Sequence, residues 1–485
     1  MGKLHYGKFL VQVSVIMIMC AIFNSCTKDS APPLYGNYPS EIGEIIVNKC
    51  ATAGCHNDQS FEAADGLNLS TYLKMFQGSK NGSPVIPYRS DFSSLCFYIN
   101  SYNELGPINT PRMPLNGPAL SREEVQKIKI WIDNGAPDID GKIMWSDNPN
   151  RKKYYVLNQG CDVVTVIDAE SKLPIRYITV GSNPNMVESP HMIKVSPDGK
   201  YWYVIFLANN ILQKYSTADD RFISQVILGP VQNWNTMVIS NNSQKAYCVS
   251  WQSNSRLAVV NLDNMTLANN IGGGNFSDAH GIALNTSNDT IYITRQTGNY
   301  IYKIDTALNT IAEITLDGSS IPNQTSSLDP HEIIFSKDGS RYFVTCQKTN
   351  EVRVVATAGD VLVQSISTGK YPSEMAINNN YLYVTCQDEP SPNSNIRGCI
   401  SQINLFTYQN QNFEVGYQPH GLVLDEAKDV LVVASRNIST AGPIPHHLGV
   451  CGRNGFVNYF QASTMMLLKQ KTEVASDPYS IAIRP

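Results

Sequence analysis

The sequence predicts a multidomain chain, a small all-α domain followed by an all-β seven-bladed propeller closed by the C-terminal strand. Three observations predict it. Helical periodicity with its own start and stop signals runs to about Asp138. Beyond Trp145, short alternating strands separated by Asn, Gly, Asp and Ser clusters take over. One sequence unit then recurs seven times, at intervals of 42 to 59 residues. That spacing is close to one four-stranded propeller blade.

The chain has 485 residues, with 37 basic against 41 acidic side chains and a net charge of −4. No basic stripe points to a nucleic-acid partner, so nucleic acid is excluded as a ligand class. No acidic tail points to disorder.

Residues 1–25 read as a signal segment. Lys3 and Lys8 precede the apolar run "FLVQVSVIMIMCAIF", which leads into "NSC". The run is short for a stable membrane span and ends beside Cys26. "FNSC" resembles a bacterial lipobox, departing from it in Phe23 where that family usually has Leu. The resemblance implies lipidation at Cys26 and a lipid anchor to a membrane. Residues 26–37 become a tether, and the mature protein is exported to face the periplasm or the cell surface. Export makes disulfides permissible.

Residues 38–140 form the helical domain. "PSEIGEIIVNKC" offers Ser40 as an N-cap and places Ile42, Ile45 and Ile46 on one face. In "SREEVQKIKIWIDNGAPD", Ser121 and Glu124 form a capping box. Val125, Ile128 and Ile132 make an apolar stripe with Trp131 beside it, and Asn134-Gly135 with Pro137 supply the stop.

Residues 145–485 form the propeller. Segments such as "SPHMIKVSPDGKYWYV" and "DPHEIIFSKDGSRYFVT" align so that their third residues are His191, Asn235, His280, His331, Ser373, His420 and Tyr479. The region opens on three strands whose innermost partner is missing and ends on the lone strand "DPYSIAI". Joining the two completes a blade, making seven in all, and removes the open edges. The unit, with "AHGIALN", "IYIT" and "IYKID", resembles the YVTN-type propellers. That resemblance implies a fold and no particular activity.

"NKCATAGCHND" carries the chemistry of the helical domain. Cys50, Cys55 and His56 form C-x4-C-H, two residues longer than the covalent-haem motif C-x-x-C-H. Two thiols are needed for thioethers to haem vinyl groups, and the neighbouring imidazole for the iron. Cysteines five apart lie some 140° round a helix, so the insert must bulge. Gly54 allows this. A Cys50–Cys55 disulfide and a zinc site are the competing readings. The zinc site would need a fourth ligand, for which Cys96 is the obvious remaining sulfur.

"TPRMPLNGPALSREEVQKIKIWIDNGA" places Met113 before the capped helix. With "GLNLSTYLKMFQG" and "SPVIPYRSDFSSL", the segment resembles the small class I-type cytochromes c from about Glu41 to Asp138. The resemblance implies covalent haem c on Cys50 and Cys55, with His56 and Met113 as axial iron ligands. Met75 is the rival distal ligand, expected instead on an apolar helix face. The fusion of a cytochrome to a propeller looks like the periplasmic cytochrome nitrite reductases, an analogy without residue-level motifs.

His191, His280, His331 and His420 gather at one mouth of the propeller channel. His446, His447 and Cys451 lie on a long loop of the same face, and Arg295, Gln347, Gln387 and Arg436 end nearby strands. Two readings stay open. The four histidines hold a second metal, because imidazole is the commonest transition-metal ligand. Alternatively, each bonds a neighbouring blade as part of the repeat. Cys161 and Cys399 occupy matching loops, from which one or the other bridges to Cys451.

The expected function is single-electron transfer between donor and acceptor proteins, with a propeller that binds a redox partner or carries a second redox site. Enzymatic oxidoreductase activity would need a metal or cofactor at the propeller mouth. The alternative is a propeller-based scaffold in which haem is accessory or sensory.

Overall fold

Six-residue strands rich in Val, Ile and Tyr dominate the computed structural model from Lys153 onward. It describes residues 35–230, 233–273, 276–437 and 451–484. Polar turns reverse the chain between strands. Asp220, Asn288, Asn309 and Asp429 adopt positive φ there, the conformation Asn and Asp tolerate best among residues with a Cβ.

Among the described residues, the strands build seven antiparallel sheets, six of four strands and one whose outermost strand is broken in two. In the first blade the C-terminal strand Pro478–Ile483 pairs with Lys153–Asn158, which continues to Val163–Asp168 and Pro174–Thr179. The two ends of the β-region therefore meet in one sheet, and the ring is closed by hydrogen bonds, as expected from the missing inner strand. The other inner strands begin at Pro190, Trp234, Ala279, Pro330, Pro372 and Pro419.

Apolar side chains fill the space between neighbouring blades. Tyr155, Leu157, Ile193, Trp202 and Val204 form one such layer between the first and second blades. There the Trp202 ring stacks on Tyr215 at 3.8 Å. Polar ties reinforce the closure. Lys153 Nζ lies 2.7 Å from Asp220 with both side chains buried, and Tyr155 Oη donates to the same carboxylate at 3.0 Å. On the other side Tyr154 Oη donates to Asp425 of the seventh blade at 3.0 Å.

The N-terminal residues surround a separate core of Tyr38, Ile46, Tyr72, Met75, Phe97, Ile128 and Ile132. Helices α1 (Ser40–Lys49), α2 (Tyr72–Met75), α3 (Ser94–Ile99) and α4 (Arg122–Asp133) contribute to it. The predicted capping box of α4 is present, with Ser121 Oγ accepting from the Glu124 N–H at 3.2 Å and Glu124 Oε2 accepting from the Ser121 N–H at 2.9 Å. Its apolar stripe is buried as the spacing requires.

One expectation needs correction. Ser40 does not cap α1. It is the first helical residue after Pro39, and no side chain caps that end. The region carries few helices, and a separate all-α domain is not evident in it. Only α1 and α4 exceed six residues, because Pro, Gly and Asn between Gly78 and Leu120 hold long irregular connections. It docks on the outer strand of the first blade. Ser83 Oγ donates to the Pro174 carbonyl at 2.7 Å, Arg89 donates to the Tyr177 carbonyl at 3.0 Å, and Phe92 stacks on Tyr177 at 4.2 Å. This covers an edge strand that would otherwise present unpaired backbone groups.

Candidate functional site

Helix α1 ends at Lys49, and the C-x4-C-H segment turns sharply beyond it. The Cys50 N–H still bonds Ile46 O at 2.9 Å, whereas the His56 N–H reaches back to Cys50 O at 3.1 Å. The turn needs Gly54 at φ +80°, a left-handed conformation that favours glycine. The bulge predicted for the two-residue insert is therefore built by that glycine.

The turn brings His56 to the wall of an apolar cleft holding about 940 Å3 of empty space, its solvent mouth included. Cys50 and Met113 line the same cleft, with Leu69, Pro84, Leu95 and Tyr98. His56 and Met113 are 57 residues apart in sequence, and only the fold makes them neighbours. Cys55 stands beside the cleft, half-buried, and is not among its lining residues.

The His56 Nδ1 lies 3.1 Å from the carbonyl oxygen of Leu67. A protonated Nδ1 donates there and leaves Nε2 as the lone-pair nitrogen, the arrangement of a metal-ligating imidazole. Burial lowers the His56 pKa below the ordinary imidazole value, which favours the neutral form a ligand requires. The Cys50 thiol is pushed up to about 12, chiefly by burial and then by Cys55, so it stays protonated. Both cysteines are free thiols. Met75 is fully buried in the core and is not among the residues lining the cleft. Cys96 is likewise packed inside the core, away from the cleft wall.

The four propeller histidines do converge. Their ring centroids are 6.5 Å apart for His191–His280, 4.0 Å for His280–His331 and 6.0 Å for His331–His420. Tyr479 completes the circle at 3.7 Å from His420 and 4.2 Å from His191. Two of the imidazoles bond the next blade, His280 Nδ1 to the His331 carbonyl at 3.2 Å and His420 Nδ1 to the Tyr479 carbonyl at 2.9 Å.

The glycine after the histidine has a reason in the same contact. A Cβ on Gly281 would lie 2.4 Å from the His331 carbonyl oxygen, and one on Gly421 2.6 Å from that of Tyr479. Second-strand threonines join in, with Thr294 and Thr385 donating to the carbonyls of His331 and His420 at 2.7 Å each. "H-G" in these repeats thus carries an inter-blade contact. Among the described residues, no three of His, Cys, Asp or Glu are arranged to hold a metal ion.

The expected flanking groups lie at the same mouth. Gln347 and Gln387 both donate to Ser373 Oγ, at 3.1 and 2.5 Å. Arg436 pairs with Asp477 at 2.8 Å and lies over the Tyr479 ring, and Arg295 pairs with Asp278 at 3.0 Å. Sequence reasoning missed Lys194, Glu332 and Glu374, which line cavities along the inner strands. Burial raises both carboxyls above the ordinary glutamate value, with Glu374 adding to the effect on Glu332 and Lys194 opposing it. Charged residues inside innermost strands were the available signal. The signal segment 1–25, Cys26, His446 and His447 lie outside the described residues.

No known protein family and no curated protein matches the chain. Solved structures do. A functionally unknown protein from Desulfotomaculum acetoxidans is similar at 15% identity and a TM-score of 0.53, covering 68% of this chain and 98% of that one. A Bacteroides uniformis protein with a provisional 6-phosphogluconolactonase name is similar at 12% identity and a TM-score of 0.50, covering 69% and 99%. Kuenenia stuttgartiensis hydrazine synthase reaches 15% identity and a TM-score of 0.47, covering 62% and 93%. The first two likenesses bear out the propeller fold and nothing finer.

Proposed function

We propose that this protein is an exported, lipid-anchored c-type cytochrome whose YVTN-type propeller docks a redox partner. The observation that carries the reading is the shared cleft of Cys50, His56 and Met113, with the His56 Nδ1 already held by the Leu67 carbonyl. Covalent haem would supply one-electron chemistry there. Cys50 and Cys55 would hold it through thioethers. His56, through Nε2, and Met113 would hold its iron. Leu69, Leu95 and Pro84 would pack against the group and limit its contact with water. The fit has one tension, since the half-buried Cys55 must swing toward the cleft to form the second thioether.

In this reading the donors and acceptors are proteins, and the anchor is the lipid on Cys26. The propeller acts as a scaffold, supported by the engagement of its histidines in inter-blade bonds. A second reading is a metal or cofactor at the mouth. What favours it is that His191 Nδ1, His331 Nδ1 and His420 Nε2 are buried without a hydrogen-bond partner.

A pyridine haemochrome spectrum with metal analysis tests both, on protein made alongside haem-attachment machinery. One c-type haem and no other metal supports the cytochrome with a docking propeller. Stoichiometric copper or iron beyond the haem moves the second site to the histidine ring. Absence of covalent haem overturns the central reading.

A further inference from the structure

The propeller contains two pairs of neighbouring cysteines that the haem cleft does not use. Cys386 and Cys399 stand directly opposite each other on the antiparallel strands Tyr381–Pro390 and Arg397–Asn404. Both are buried. Their sulfurs flank one point. A Cβ placed on Gly369 would be 2.3 Å from Cys399 Sγ and 3.2 Å from Cys386 Sγ. The glycine therefore lets the chain cross directly over the sulfur pair.

Cys161 and Cys451 form the second pair: Gly160 and Gly452, the residues beside them, close on the same Ser476, a Cβ on each lying 2.9 and 3.9 Å from its Oγ, and the two thiols interact. Cys161 follows strand Lys153–Asn158 of the first blade, and Cys451 precedes strand Asn454–Gln461 of the seventh. These two blades are neighbours across the ring closure. A covalent link there would tie the N-terminal strands of the first blade to the seventh, beside the sheet in which hydrogen bonds alone join Lys153–Asn158 to Pro478–Ile483.

We propose that the exported protein carries two disulfides, Cys161–Cys451 stapling the closure and Cys386–Cys399 clasping the sixth blade. This rests on the export part of the functional reading and not on haem. Each disulfide forms one S–S bond as two S–H bonds break. The two electrons and two protons pass to a protein disulfide of the export compartment, which becomes a dithiol. The pairing also decides between the two partners the sequence left open for Cys451, selecting Cys161, because Cys399 faces Cys386.

The test is thiol mapping of the full chain made with its own leader. Free thiols are alkylated under denaturing conditions, and peptides are analysed by mass spectrometry with and without reductant. Expected are linked 161/451 and 386/399 peptides that separate on reduction, with Cys248 and Cys346 alkylated from the start. Alkylation of Cys161, Cys451, Cys386 and Cys399 in exported protein overturns the proposal, as does any other pairing among these four.

Cell fractionation reads export independently, and the haemochrome reads haem. If the chain stays in the cytosol, purified protein is exposed to oxidised glutathione. The same two pairs must then form, and failure overturns the proposal. As a second readout, Cys161→Ser with Cys451→Ser should lower the melting temperature of oxidised protein and leave that of reduced protein unchanged. An equal loss in both states overturns the staple.

Discussion

The Nδ1 nitrogen of His56 is held 3.1 Å from the carbonyl oxygen of Leu67, across a turn that Gly54 makes possible. The bond fixes both the tautomer and the ring plane, because a backbone carbonyl only accepts. His56→Ala should abolish the low-spin haem spectrum while Cys50 and Cys55 remain. Visible spectroscopy of the co-expressed protein checks this, and a spectrum unchanged by the substitution would remove His56 from the iron.

Met113 lines the same cleft from the far side of the sequence. A thioether ligand raises the reduction potential relative to bis-histidine ligation. Met113→His should therefore lower the potential by on the order of 0.1–0.3 V, within the roughly 0.8 V that axial ligands span. The haemochrome should be unchanged, since both tethers stay. Potentiometric titration reads the shift. An unchanged potential would mean that another group occupies the distal position.

The ring was legible in the sequence because its defining residue repeats. Each blade contributes one third-position residue, and three opening strands with one closing strand leave a single way to finish the sheet. The meaning of that position was not legible. Whether His280 ligates a metal or bonds the next blade depends on where the His331 carbonyl lies, 51 residues away. The N-terminal region was half legible. Local signals specified α4 through Ser121 and Glu124, but the cleft depends on long loops such as that carrying Met113, whose path is set by tertiary contacts. Cys55 illustrates the limit, for motif order placed it with Cys50 and the turn leaves it outside the cleft lining. Cys386 was overlooked as a partner because its register opposite Cys399 emerges only from strand pairing.

Closure should depend on the Lys153–Asp220 pair. Both side chains are about 96–97% buried, and Tyr155 and the Thr217 carbonyl complete their hydrogen bonding. Burial lowers the Lys153 pKa, opposed by Asp220, which marks the cost of holding the charge there. Lys153→Met leaves a buried carboxylate unpaired and should destabilise the propeller by about 3–5 kcal/mol. Lys153→Met with Asp220→Leu should recover much of that loss, because an apolar pair avoids the desolvation penalty. Urea unfolding of the three proteins decides it, and equal losses for the single and double variants would mean that packing rather than charge pairing governs the site.

The histidine circle should make the propeller acid-sensitive. Burial lowers the pKa of all four imidazoles, to about 4 for His280 and well below the ordinary value for His191, His331 and His420. The neighbouring Arg436 adds to the effect on His191 and His420, while its Asp477 partner and the Tyr479 ring pack on the same side. Each folded-state pKa is below the unfolded value of about 6.5, so the unfolded chain binds more protons between the two. Stability from these groups is therefore complete above about pH 6.5 and is lost as pH falls toward 4. His331→Gln removes one titrating ring and should flatten the fall between those limits. The raised Glu332 and Glu374 carboxyls act in the opposite sense in both proteins, so thermal unfolding of variant and parent across that range is compared as a difference, and a variant that falls as steeply as the parent would contradict a neutral, buried His331.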